Sequence, residues 1–172
     1  SIVAFRSFLV ALNVTIGGTA YPSPVKWSNE ASAYSAPSSW DENNPALSCG
    51  EYELTESPGS IIDALPLGDT LQIYKEDSIT IPPWIGTPFI FSFKTLSPNI
   101  GLLAKNGVAE FEKGHFFIGN SDCYWNNGQT IQALLPNRMR SAMFDSLNGD
   151  NYKKCFVTAD YNRNEALFCF PQ

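Results

Sequence analysis

Between Ile61 and Leu134 the chain never runs far without a turn, and that rhythm constrains its fold more than any other feature. Four strand-type runs, Ile61–Leu65, Thr70–Tyr74, Ser78–Ile81 and Phe89–Phe93, are followed by four more: Val108–Phe111, His115–Ile118, Cys123–Trp125 and Thr130–Leu134. Each is rich in β-branched or aromatic residues and is bounded by turn formers, the signature of short strands. Leu67-Gly68-Asp69 and Glu112-Lys113-Gly114 supply tight reversals. Asn127-Gly128 is the favoured pair for a two-residue turn with positive φ.

The two groups also superpose. Asp69–Tyr74 falls on Lys113–Ile118, and Asp77-Ser78-Ile79 falls on Ser121-Asp122-Cys123, at one offset of 44 residues. A four-stranded unit recurring every ~40–45 residues has the spacing of a propeller blade. The expectation is an all-β fold, β-propeller-like rather than a generic sandwich, with four-stranded antiparallel blades at about Ile61–Leu96 and Val108–Leu134 and one short α-helix.

Outside this region, Phe8–Val14, Gly17-Gly18 and Val25–Ser28 read as a hairpin. From Asn29 to Gly59 the pattern gives way to Ser, Ala, Pro and Asn, longer than an ordinary connection. Trp40 and Tyr52 stand there as isolated anchors, which makes them the candidate subunit-interface residues. A helix is expected over Arg138–Leu147, capped by Asn137 and stopped by Asn148-Gly149, with Met139, Met143 and Leu147 on one packed face. Lys154–Thr158 and Glu165–Phe170 are the last strands. Residues 1–172 thus read as a single propeller-like domain or a piece of one, with an irregular insertion at about 29–59. About three and a half blades are too few to close a ring of the usual size. Their edges then need cover from other subunits or from further chain.

Composition narrows the function. At 44% hydrophobic and 13% aromatic the chain is not disordered, and only 16% of its residues are charged. A net charge of −6, with Lys153-Lys154 the only adjacent basic pair, gives no general affinity for phosphate. No run reaches the ~18 apolar residues of a membrane span. Ile2–Ile16 is interrupted by Arg6 and Asn13 and reads as a strand, not a signal peptide. Cys49, Cys123, Cys155 and Cys169 have no zinc-site spacing, and free buried thiols are expected over a disulfide framework.

No chemistry emerges. His115 is the single histidine, and beside Phe116 and Phe117 in a strand it reads as a packed structural residue, not a general base. Glu110, Glu112, Asp122 and Asp145 are the carboxylates to consider for glycoside hydrolysis, and each has an ordinary reading in a strand, a turn or a helix face. No catalytic, cofactor-binding or metal residue is assigned. Exposed aromatics, among them Trp27, Trp84, Trp125, Tyr21 and Tyr34, offer the alternative of a sugar-stacking face.

One resemblance spans about two-thirds of the chain. Gly101-Leu102-Leu103-Ala104, Val108, His115–Gly119, Asp122, Tyr124, Asn127-Gly128, Phe144–Asn148 and Asn164–Pro171, preceded by Leu65–Asp69 and Ile73–Ser78, resemble structural tail proteins of short-tailed bacteriophages. Tail-nozzle and virion-stabilising proteins are among these. The resemblance implies a non-enzymatic virion component, assembled in the host bacterial cytoplasm as a ring-like homo-oligomer, sixfold by analogy. Its partners would be other phage tail proteins, with DNA only as passing cargo and no membrane insertion. The alternative within the same setting is a carbohydrate-binding, receptor-recognition tail module.

Overall fold

A computed structural model describes residues 1–172. The chain is all-β apart from one helix, and its strands form three four-stranded antiparallel meanders and one hairpin. Sheet I holds β1 (Ile2–Phe5), β2 (Phe8–Ile16), β3 (Thr19–Trp27) and β4 (Gly50–Glu53). Sheet II holds β5 (Ile61–Leu67), β6 (Thr70–Lys75), β7 (Ile79–Ile81) and β8 (Lys94–Ser97). Sheet III holds β9 (Val108–Phe111), β10 (Gly114–Ile118), β11 (Cys123–Asn126) and β12 (Ile131–Ala133). Sheet IV is the pair β13 (Phe156–Asp160) and β14 (Glu165–Cys169).

The sheets stack in chain order like successive blades, and each interval between neighbours is a core. Phe8, Val10, Leu12 and Trp27 of sheet I meet Ile61, Leu71 and Ile73 of sheet II. Tyr74 and Ile79 then meet Phe117 and Tyr124 of sheet III. Ile118 and Cys123 meet Val157 of sheet IV, with Met143 of the helix closing that side. The first strands β1, β5, β9 and β13 lie next to one another along the stack.

The repeat read from the sequence is structural. Lys75 N donates to Ser78 O (2.8 Å), and 44 positions on Gly119 N donates to Asp122 O (2.9 Å). The first reversal of each sheet also recurs, with positive φ at Arg6, Gly68, Glu112–Lys113 and Asn164. Only Gly68 adopts this backbone without a side-chain penalty.

Five expectations need correction. The outer strand of sheet II is Lys94–Ser97, and Phe89–Phe93 is no strand: it has only the isolated bridge Trp84–Phe91. Pro82-Pro83 lacks N–H donors and turns the chain out of the sheet. Sheet I is complete, not a partial blade at Phe8–Ser28, because Gly50–Glu53, inside the irregular segment, pairs with β3 as its fourth strand. The helix α1 (Asn137–Ser146) begins after Pro136 with no side-chain cap; Asn137 Oδ1 instead accepts from Arg140 Nη2 (2.8 Å). Met143 is buried but Met139 is exposed, so the expected packed face holds at the middle of α1 and not in its first turn. Finally, Lys154 belongs to a 3₁₀ turn (Tyr152–Lys154), so β13 starts at Phe156.

Candidate functional site

A cleft of about 830 Å³ opens between β4 and the loop that joins β7 to β8. Its floor is a run of aromatic rings. Tyr52 of β4 lies flat on Phe93, centroids 4.3 Å apart and planes within 6°. Phe93 leans on Trp27 (6.1 Å), and the Trp27 indole meets Phe91 edge-on at 5.3 Å and 88°. The local sequence builds this arrangement. A Cβ on residue 50 would overlap the indole of Trp27, so only Gly50 lets the chain cross that ring. Trp27 Nε1 fixes the crossing by donating to Ser48 O at 2.9 Å.

The walls carry carboxylates. Lys26 Nζ pairs with Glu42 at 2.5 Å and with Glu51 at 3.6 Å. The hydrogen bond from Lys26 holds the Glu42 carboxyl below its ordinary value, and the same bond raises the Lys26 ammonium. Tyr52 donates its hydroxyl to Glu56, which raises the phenol and lowers the carboxyl. One side of the cleft is thus aromatic and the other charged. Such a site can stack a flat or sugar-like face, or take up a side chain from a partner.

Tyr52, one of the two candidate interface residues, is therefore in the cleft, but on a regular strand and stacked against its own chain. Trp40, the other, is half-buried in the irregular segment and does not line the cleft. The structure does not bring the pair together. Sequence reasoning missed the loop from Pro82 to Phe93, because its apolar run imitates a strand. The signal was in Pro82-Pro83, Gly86 and Pro88.

The other residues weighed for chemistry are dispersed. His115 is fully buried between sheets II and III. Its Nε2 faces Pro66 O at 2.9 Å and must donate there, so Nδ1 accepts from the Tyr74 hydroxyl, also at 2.9 Å. Asn126 Nδ2 donates both to the Tyr74 oxygen and to Gln72 Oε1, at 3.1 Å each. Burial pushes the His115 imidazole down to about 4 and the Tyr74 phenol well above its usual value. This is a closed polar network with no open valence for a substrate.

Asp122 is buried as a structural hub. Its carboxylate accepts from Cys123 N (2.8 Å) and Leu135 N (3.2 Å) and faces Arg140 Nη1 at 3.5 Å. Glu110 and Asp145 are exposed on separate elements, and Glu112 sits in the β9–β10 reversal. No group of three or more His, Cys, Asp and Glu side chains is placed to hold a metal ion. All four cysteines are free; Cys123 and Cys155 are buried, whereas Cys49 and Cys169 are half-buried. Burial pushes the Cys123 thiol up to about 12, with Asp122 and Cys155 adding to the effect. No helix is long and apolar enough to cross a membrane. No protein-family model matches the chain, and no curated protein matches it either.

Proposed function

We propose that this chain is a structural component of a bacteriophage tail, of nozzle or hub type, that acts by assembly. Copies would form a ring in the virion, sixfold by analogy with the proteins it resembles, around the path of the DNA. The observation that carries the assembly reading is the sheet stack itself. Large apolar side chains stay open to water on it, Trp84, Ile85 and Phe89 beside sheet II and Met139 and Leu167 beside sheet IV. Unpaired strand edges and uncovered apolar faces are costly in water, and neighbouring subunits are their usual cover. The tail assignment rests on the residues from Leu65 to Pro171 that resemble such proteins, and a surface carrying −6 suits a wall that lets DNA slide. Antibody labelling of native particles under the electron microscope tests it: label at the tail supports the reading, and particles without label overturn it.

The cleft favours a second reading, a carbohydrate-binding recognition module, because the Tyr52–Phe93 stack stands beside Glu42 and Glu51. Saturable binding of one defined sugar on a glycan array, abolished by Tyr52→Ala, selects this reading over pure assembly.

A further inference from the structure

Three Asn-Gly pairs stand in the chain, at Asn106-Gly107, Asn127-Gly128 and Asn148-Gly149. A glycine carries no Cβ, so its backbone nitrogen can approach the side-chain carbon of the asparagine before it, and each pair is chemically able to cyclise. The fold treats the three differently. Gly107 is buried, and its N–H donates to Ala104 O at 2.9 Å. Gly128 N–H donates to Asn126 Oδ1 at 2.8 Å, and Asn126 is itself anchored in the buried network with Tyr74 and Gln72. Gly149 is exposed, and its N–H has no acceptor within the protein.

On the carbonyl side Asn127 and Asn148 are alike. Asn127 Oδ1 accepts from Gln129 N (3.0 Å) and Thr130 N (2.8 Å). Asn148 Oδ1 accepts from Asp150 N (3.0 Å) and Asn151 N (3.1 Å), and from Asn151 Nδ2 at 3.2 Å. Backbone donors aimed at an oxygen that gains negative charge act as an oxyanion hole does. Only at Asn148 do a polarised carbonyl and an unengaged, water-facing nucleophile meet.

We propose that Asn148 is a site of spontaneous deamidation in the folded protein, and that it reacts ahead of Asn127 and Asn106. Hydroxide takes the proton from Gly149 N. The nitrogen then bonds to Asn148 Cγ, and charge builds on Oδ1, facing the Asp150 and Asn151 amides. The Cγ–Nδ2 bond breaks and Nδ2 leaves as ammonia, its proton supplied by water. Water opens the resulting cyclic imide at one carbonyl or the other, giving aspartate or isoaspartate. One water enters, one ammonia departs, and nothing is oxidised or reduced. Each event adds one negative charge to the net −6. The isoaspartate product also puts an extra methylene into the main chain between α1 and the 3₁₀ turn that leads into β13. The reaction needs no partner and is independent of the assembly reading.

Incubation of the folded protein in mildly alkaline buffer, followed by peptide mapping with electron-transfer fragmentation, reads aspartate and isoaspartate at each position. Asn148 should convert roughly three- to tenfold faster than Asn127, the factor expected where the competing nucleophile must first give up a hydrogen bond. In denaturant the three rates should converge, since every one of these asparagines precedes a glycine. Gly149→Ala is the second arm. A Cβ built there meets nothing within 4 Å, so alanine fits the space, and its methyl hinders the attacking nitrogen. The variant should convert more slowly at Asn148 and like the parent at Asn127. Equal or inverted rates at Asn148 and Asn127 in the folded protein, or no conversion at Asn148, would overturn the proposal. So would an order of rates that persists unchanged in denaturant, or a Gly149→Ala variant that converts like the parent.

Discussion

The hydroxyl of Tyr74 and Nδ1 of His115 meet at 2.9 Å across the junction of sheets II and III, where burial makes the imidazole harder to protonate. The imidazole is neutral when folded, with its pKa pushed down to about 4, against an ordinary value of 6.5. The folded state therefore binds fewer protons than the unfolded chain between those values. Stability should be flat above pH 6.5, fall through that window, and level off below pH 4 as far as this group is concerned. The full loss is about 3 kcal/mol. Urea titrations at stepped pH measure it. His115→Gln should flatten the slope, and an unchanged slope in that variant would remove His115 as its source.

Lys75 carries the second prediction. Its ammonium is buried and donates to Leu54 O (2.8 Å) and Ser57 O, tying the end of the irregular segment to sheet II. Lys75→Met keeps most of the volume and leaves two carbonyls without a donor. A loss of roughly 1–3 kcal/mol in denaturant titration is expected, with cleavage by protease near residues 54–59 before global unfolding.

Gly50 is the third. Any side chain there collides with the Trp27 indole. Gly50→Ala should cost roughly 1–3 kcal/mol, as overpacking does, and shift the tryptophan emission. Wild-type stability with unchanged emission would show that β4 can retreat from the ring.

Trp40 is the fourth. Half-buried in the acidic segment and outside the cleft, it should matter more to association than to folding. Trp40→Ala is expected to lower the thermal midpoint by a few degrees at most and to weaken self-association measured by light scattering. The opposite order, a large stability loss with unchanged association, would make it a packing residue.

The fifth concerns catalysis. Glu110, Glu112, Asp122 and Asp145 lie on different elements, and Asp122 is committed to two backbone amides. Purified protein should release no sugar from host polysaccharide. Release that disappears on replacing a single Asp or Glu by its amide would overturn the structural reading.

Sheets II and III were legible because their turns are written in residues with one dominant conformational use. Gly68 and Asn127-Gly128 announce reversals, and the 44-residue offset carries over to matched hydrogen bonds. The reversal between β1 and β2 was not legible: Arg6 takes positive φ there without any residue type that signals it. β4 was hidden because Gly50 and Glu53 have poor strand propensity, and the strand exists through the tertiary contact of Trp27 over Gly50. The Pro82–Phe93 loop was misread for the converse reason. Phe89 to Phe93 is apolar enough for a strand, but Phe91 and Phe93 turn into the first core while the prolines upstream deny the backbone its partners. Of the site, the aromatic character of Tyr52 was visible; its partner Phe93, distant in sequence, was not.

The order of the cores has a dynamic consequence. Each of the three is shared by two sheets that follow one another in the chain, so cooperativity passes from neighbour to neighbour as in a one-dimensional array. The inner junction, holding Tyr74 and His115, is braced from both sides. Sheet IV is a two-stranded flap with one junction, and its backbone amides should exchange with deuterium through local opening long before those of β6 or β10. Anything that docked against β14 would suppress that opening and give sheet IV the second junction that the inner sheets already have.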